Sequence, residues 1–293
     1  MKTKTCILTS SLIALAASMA QAQGGYTVFG ESGTAPAPEQ RFVRPVSAPY
    51  FHEDAFITSD VRAWYVKHHF YGDTIGGDLD VYALQVRLAL TPSLQFVAYR
   101  DGYSKYNDTL NNHSGWNDVG VGLKWAFLQD WEQNLHLAAG VGYELSIGDR
   151  DVLQSTRSLR FWGSANKGFD RLHLGATVNY LKANDRSDGM LGNADMITAH
   201  LHADYRVSDW FSPVVEINGY FVTKEGPVGA PFSGVDAVSI SGGKNEDTIT
   251  GAVGAEFRPF GDYLGLRAAY ETQLSNNRSL FGHRWTLSAV YEF

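Results

Sequence analysis

Cysteine is almost missing from this 293-residue chain: the one present, Cys6, lies just ahead of an apolar run near the N-terminus. Beyond that run there is no disulfide to form and no thiolate to serve as nucleophile or metal ligand. Long apolar stretches are missing as well. The best, Ile7 to Met19, is interrupted by Thr9, Ser10 and Ser11 and falls short of the roughly 18 apolar residues a transmembrane helix needs. A surplus of positive charge is absent too, with 24 Lys and Arg against 31 Asp and Glu, which disfavours nucleic acid as a partner. No G-x-S-x-G or comparable serine motif occurs, so the usual signature of a hydrolase nucleophile is not there. Nothing in the sequence asks for a cofactor, and no enzymatic activity is expected.

What is present begins with an export address. Lys2 and Lys4 precede the apolar run, and Ala20-Gln21-Ala22 follows it with the small-x-small pattern of a signal peptidase site. Residues 1–22 therefore read as a signal peptide and Gln23 as the mature N-terminus. Cys6 leaves with the signal, and its place ahead of the apolar run argues against a lipoprotein. Without Lys2 and Lys4 the mature chain has 22 basic and 31 acidic residues, a net charge of −9.

The last eleven residues, His283 to Phe293, alternate with period two. Trp285, Leu287, Ala289, Tyr291 and Phe293 share one face; Arg284, Thr286, Ser288, Val290 and Glu292 share the other. The same alternation recurs at about 59–70, 79–90, 94–105, 116–127, 135–147, 158–167, 171–182, 195–207, 213–223, 247–258, 263–274 and 283–293, twelve candidate strands. The clearest apolar faces are Tyr82, Leu84, Val86, Leu88 and Leu90; Val119, Val121, Leu123, Trp125 and Phe127; Leu135, Leu137, Ala139, Val141, Tyr143 and Leu145; and Leu172, Leu174, Ala176, Val178 and Tyr180; their complements are small, polar or charged. Breaks between strands alternate short and long, as in an up-and-down meander with short periplasmic turns and long extracellular loops. The pattern predicts an all-β fold, a transmembrane antiparallel β-barrel of about 12 strands over residues 59–293. A soluble sandwich with the same strands is the alternative, but it would put the greasy faces inside. Mean hydropathy is only −0.20 despite 13% aromatic residues, as expected when alternate residues alone meet lipid. Trp125, Phe127, Trp131, Trp210, Phe211, Phe257, Phe260 and Phe293 fall near predicted periplasmic ends, where a lower aromatic girdle would sit.

The terminal strand, through Trp285, Leu287, Tyr291 and Phe293, resembles the assembly signal of bacterial outer-membrane barrels. That resemblance implies residence in the cell outer membrane, contact with its lipid, and recognition by the barrel assembly machinery. Ahead of the barrel, residues 23–58 hold Pro36, Pro38, Pro45 and Pro49 with several glycines and show little alternation, so no strand is expected there. This leader reads either as a disordered periplasmic tail or as a plug-like segment. Tyr26, Phe29, Phe42, Tyr50, Phe51 and Phe56 favour the second, since a disordered tail is poor in aromatics. Arg41 and Arg44 are then expected to pair with Glu216, Glu256 or Glu292.

The inward faces carry Arg87, Arg100, Lys124, Glu144, Arg160, His173, His200, His202, Asp204, Arg206, Glu216, Glu256, Arg258, Arg267, Glu271 and Arg284. These line the lumen as candidates for selectivity or for mere mutual neutralisation. Antiparallel pairing is expected to set His173 opposite Asp204 and Glu216 near Arg206. His200-x-His202-x-Asp204 shares one face, which invites a metal, but no further ligand motif supports one, and polar lumen histidines are the expected reading.

The stretch Trp116 to Phe127, WNDVGVGLKWAF, looks like the D-x-x-x-G-x-K-aromatic-x-F strand of the meta-pathway phenol-degradation family of outer-membrane transporters. That resemblance implies passage of small hydrophobic or aromatic compounds. The function expected is a passive channel or uptake pore for small solutes. A structural or surface-interaction barrel is the alternative, and an outer-membrane lipid hydrolase a more distant one.

Overall fold

A computed structural model describes residues 26–30, 41–72, 75–107, 112–154, 156–184, 194–230, 234–238, 242–244, 246–276 and 279–293. The signal-peptide reading of residues 1–22, and residues 23–25 and 31–40 of the leader, lie outside them. Alternating sequence becomes alternating strand from Asp60 onward: β1 (Asp60–His69), β2 (Asp78–Thr91), β3 (Leu94–Arg100), β4 (Tyr103–Asn107), β5 (Ser114–Trp116), β6 (Val119–Asp130), β7 (Leu135–Leu145), β8 (Ser158–Phe169), β9 (Leu172–Ala183), β10 (Asp195–Tyr205), β11 (Phe211–Lys224), β12 (Thr248–Phe257), β13 (Leu264–Gln273) and β14 (His283–Glu292). Each pairs antiparallel with its neighbours, and β1 pairs with both β2 and β14. The sheet therefore closes on itself through β1.

β3 and β4 both pair with β2, and β5 and β6 likewise continue one another, so the fourteen segments make twelve crossings. The interruption after β3 falls at Gly102, whose φ is +121° and where a Cβ would lie 2.6 Å from the Tyr82 carbonyl oxygen. Only glycine fits that backbone. The expected strand at 94–105 is thus a bent crossing that runs on to Asn107. The small residues of β6 and β7 have a packing reason: a Cβ at Gly140 would meet the Trp162 ring at 2.1 Å.

The barrel is inside-out relative to a soluble protein. Leu84, Leu201 and Val253 are 56%, 56% and 60% exposed on its outer face, whereas Arg87, Lys124 and Arg160 inside are at 0%. Trp125, Phe127, Trp210, Phe257 and Phe260 remain exposed, as a girdle requires. Trp131 departs from expectation. It sits in the turn after β6, with its ring 4.2 Å from His136 and 6.1 Å from Phe56, so it covers the barrel mouth from within instead of facing lipid.

The interior is filled from both ends. Residues 41–59 rise from the short-turn rim, where Arg41 pairs with Asp262, to a turn at Ala48, whose carbonyl accepts from the Phe51 and His52 amides, and return to β1 at Asp60. At the apex Tyr50 and Phe51 pack with Leu181, Tyr220 and Phe281. From the long-loop end, residues 235–238 fold in: Ala237 and Val238 pack with Phe70, Leu79 and Tyr106, and Asp236 accepts from Arg284 at 2.6 Å.

Candidate lumenal site

Period-two strands aim every second side chain inward, so the polar halves of β1, β2, β6, β8, β10, β11 and β13 converge on residues 41–59. That segment has no ladder of its own, and the wall satisfies its backbone. On the acidic side the Val46 and Ser47 amides donate to Glu216 at 2.9 and 2.6 Å, the Val43 amide donates to Asp204 at 3.3 Å, and the Ser47 hydroxyl also reaches Glu216. On the opposite side the Tyr50 and Phe51 carbonyls accept from Arg160 at 2.8 and 3.0 Å, and Asn179 donates to Phe51 at 2.9 Å. Gln85 donates to the Pro49 carbonyl at 3.1 Å, and Arg267 to the Arg44 and Pro45 carbonyls at 3.3 and 3.4 Å.

Two adjacent carboxylates anchor the descending limb. Glu53 receives Arg87 at 2.7 Å, and Asp54 faces Lys124 and Arg62, each at 3.3 Å, with Arg44 at 3.6 Å. All of these groups are buried. Burial alone would push both carboxyls up, but the surrounding cations prevail: Arg87 and Lys124 hold Glu53 below its usual value, and Lys124, Arg44 and Arg62 hold Asp54 well below. Phe42 and Phe56 close the mouth beside His136 and His173.

Most of the inward residues anticipated from sequence meet charged partners on the wall. His173 faces Asp204 at 3.1 Å, Glu144 faces Arg100 at 3.4 Å, Glu256 takes Arg267 at 2.7 Å and Arg258 at 2.6 Å, and Glu271 takes Arg284 at 2.7 Å. Glu216 does not approach Arg206. The β10–β11 turn is centred on Asp209, so Glu216 stands opposite His202 and contacts it at 2.6 Å. Arg206 lies past the end of the ladder, donates to Asp209 at 2.8 Å, and lines a cleft at the rim with Arg41 and Arg258. The His200-x-His202-x-Asp204 face uses its ring nitrogens locally: His200 contacts Asn218 and Thr198, each at 2.8 Å, and His202 contacts Glu216 and Asp204. Arg44 does approach Glu292, at 3.8 Å, while Arg41 takes Asp262 instead of the three glutamates expected for it. Glu53, Asp54 and Arg62 were not anticipated. For Arg62 the available signal was its alternation with Asp60 on β1.

No protein-family model matches the chain, and no curated protein matches its sequence. The resemblance of Trp116–Phe127 to the meta-pathway phenol-degradation barrels is therefore not confirmed. Among solved structures the chain is similar to the NanC porin, at 11% identity over 80% of this chain and 100% of that one, with a TM-score of 0.51. The fold is that of an outer-membrane β-barrel. The KdgM porin, at 10% identity over 80% and 99% of the two chains and a TM-score of 0.49, and the β domain of the Bordetella autotransporter BrkA, at 11% over 80% and 98% and a TM-score of 0.47, also align.

Proposed function

We propose that the protein is a passive outer-membrane channel for small solutes, closed at rest by its own residues 41–59. One observation carries this reading: a charged, hydrogen-bonding wall is occupied by a separable segment, Glu53 and Asp54 included, and not by the wall's own side chains alone. Eight strands make a barrel that side chains can fill, and about 16 leave a wide aqueous channel. Twelve lies between, wide enough to need a filling and to conduct without it. The partners that follow are outer-membrane lipid around the apolar band, the barrel assembly machinery at the strand ending in Phe293, and a small solute; nucleic acid has no place. Export by a cleaved signal peptide belongs to the same reading.

The charged lumen favours polar over hydrophobic solutes, so passage of aromatic compounds draws no support from it. A lipid hydrolase is disfavoured because His173, His200 and His202 are buried and hydrogen-bonded in the lumen, away from the lipid face. A purely structural barrel is favoured by one feature, the second closure by residues 235–238. Planar-bilayer recording separates the two readings. The full chain is expected to conduct rarely, and a variant lacking residues 24–57 frequently. Silence of both across salts and voltages leaves the structural barrel.

A further inference from the structure

The lumenal cations fall into two groups when sorted by what neutralises them. Arg62, Arg100, Arg267 and Arg284 each have a carboxylate on the wall or its loops: Asp60 at 2.7 Å, Glu144 at 3.4 Å, Glu256 at 2.7 Å, and Glu271 with Asp236 at 2.7 and 2.6 Å. Arg87, Lys124 and Arg160 are different. The partners of Arg87 are Glu53, at 2.7 and 3.4 Å, and the neutral Gln85. Lys124 takes the carboxylate and the carbonyl of Asp54 at 3.3 and 3.1 Å. Arg160 takes two segment carbonyls and the neutral Asn179. All three are fully buried. The wall carboxylates that touch the segment are not left so bare by its departure, because Glu216 keeps His202 and Asp204 keeps His173 and His202. Displacing the segment therefore strips a carboxylate from Arg87 and from Lys124 and two carbonyl acceptors from Arg160, on β2, β6 and β8, against a wall whose other cations keep carboxylates of their own.

We infer that Arg87, Lys124 and Arg160 form a carboxylate-binding site in the lumen, that residues 50–54 occupy it in cis, and that the solutes passed are small organic anions bearing carboxylates. This rests on the channel reading above and names its substrate class. The shape of the occupant selects the chemistry. Arg87 meets Glu53 side-on, with one nitrogen to each oxygen, the planar fork that suits a carboxylate. A second carboxylate follows in the next residue, and the neutral donors Gln85, Asn179 and Thr177 stand beside them for carbonyl or hydroxyl groups.

The test uses succinate as probe and reads two things. In a full-length C6S/A55C chain, folded in vesicles, maleimide labelling reports exposure of the buried Ala55 position. Succinate at constant ionic strength competes for the site and is expected to raise the labelling rate about tenfold at ten times its dissociation constant. Inorganic phosphate is expected to do markedly less. In bilayers, the full-length Glu53→Gln/Asp54→Asn variant is expected to pass an anion-selective current that succinate reduces, and adding Lys124→Gln is expected to abolish both selectivity and block. Labelling indifferent to succinate, labelling equally sensitive to phosphate, or a cation-selective current overturns the carboxylate site. Faster labelling with succinate but no current from the double variant keeps the site and removes the channel.

Discussion

Leu84 and Gln85 are neighbours on β2, yet one is 56% exposed toward lipid and the other fully buried against residues 41–59. The outer side chains meet a fluid without fixed geometry, so any apolar residue serves and only the alternation matters. The inner ones meet particular oxygens and nitrogens, and a change of one atom is felt. Fluid solvation tolerates substitution, and directed pairing in a filled lumen does not.

The sharpest way to break this contrast is Lys124→Met. It leaves Asp54 buried with one cation fewer but still beside Arg62 and Arg44, and seating of the segment is expected to weaken by about 3 kcal/mol. Hydrogen exchange of residues 41–59 in the folded barrel measures it, and unchanged protection means that the ion pair does not hold the segment.

Acid probes the same contacts more gently. Glu53 and Asp54 have folded pKa values held below their unfolded ones. Their contribution is present above the unfolded values and is lost only as pH falls through the folded ones. The contribution of Glu53 and Asp54 to protection of residues 41–59 is therefore expected to stay level from neutral pH to about 4 and to fall in stronger acid, whereas His52, whose imidazole is held by burial well below its usual value, weakens seating as soon as pH falls below about 6.5. Protection that falls from about pH 6.5 with no steeper loss below about 4 assigns the seating to the histidines instead. The smallest effect is expected outside. Leu84→Ala removes apolar contact with lipid worth about 2 kcal/mol of barrel stability, measured by urea titration in bilayers, and leaves exchange of the segment unchanged.

The same contrast explains what could be read in the sequence. Tyr82, Leu84 and Val86 announce their strand because lipid asks only for period two, and every crossing was legible on those terms. The bend at Gly102 was not, since a positive φ leaves no periodic trace. In the lumen, pairing depends on where a turn is centred: a shift of the β10–β11 turn to Asp209 exchanges Arg206 for His202 as the partner of Glu216. Arg62 was hidden because Trp64 and Val66 share its inward face on β1 and blur the polar pattern. Glu53 and Asp54 lie in a segment without periodicity, so only the aromatics around them hinted that the segment is sheltered.

The path of residues 41–59 has a kinetic consequence. Both feet of the loop stand on one rim: the chain is pinned upstream where the Val28 and Phe29 amides donate to the Ala89 and Leu90 carbonyls, each at 2.9 Å, and downstream where β1 begins at Asp60. No free end has to be threaded through the barrel for the loop to leave it. A withdrawn loop stays tethered at an effective concentration in the ~millimolar range. Reclosing is therefore a first-order event, with a rate set by the length of the tether and indifferent to how many barrels the membrane holds.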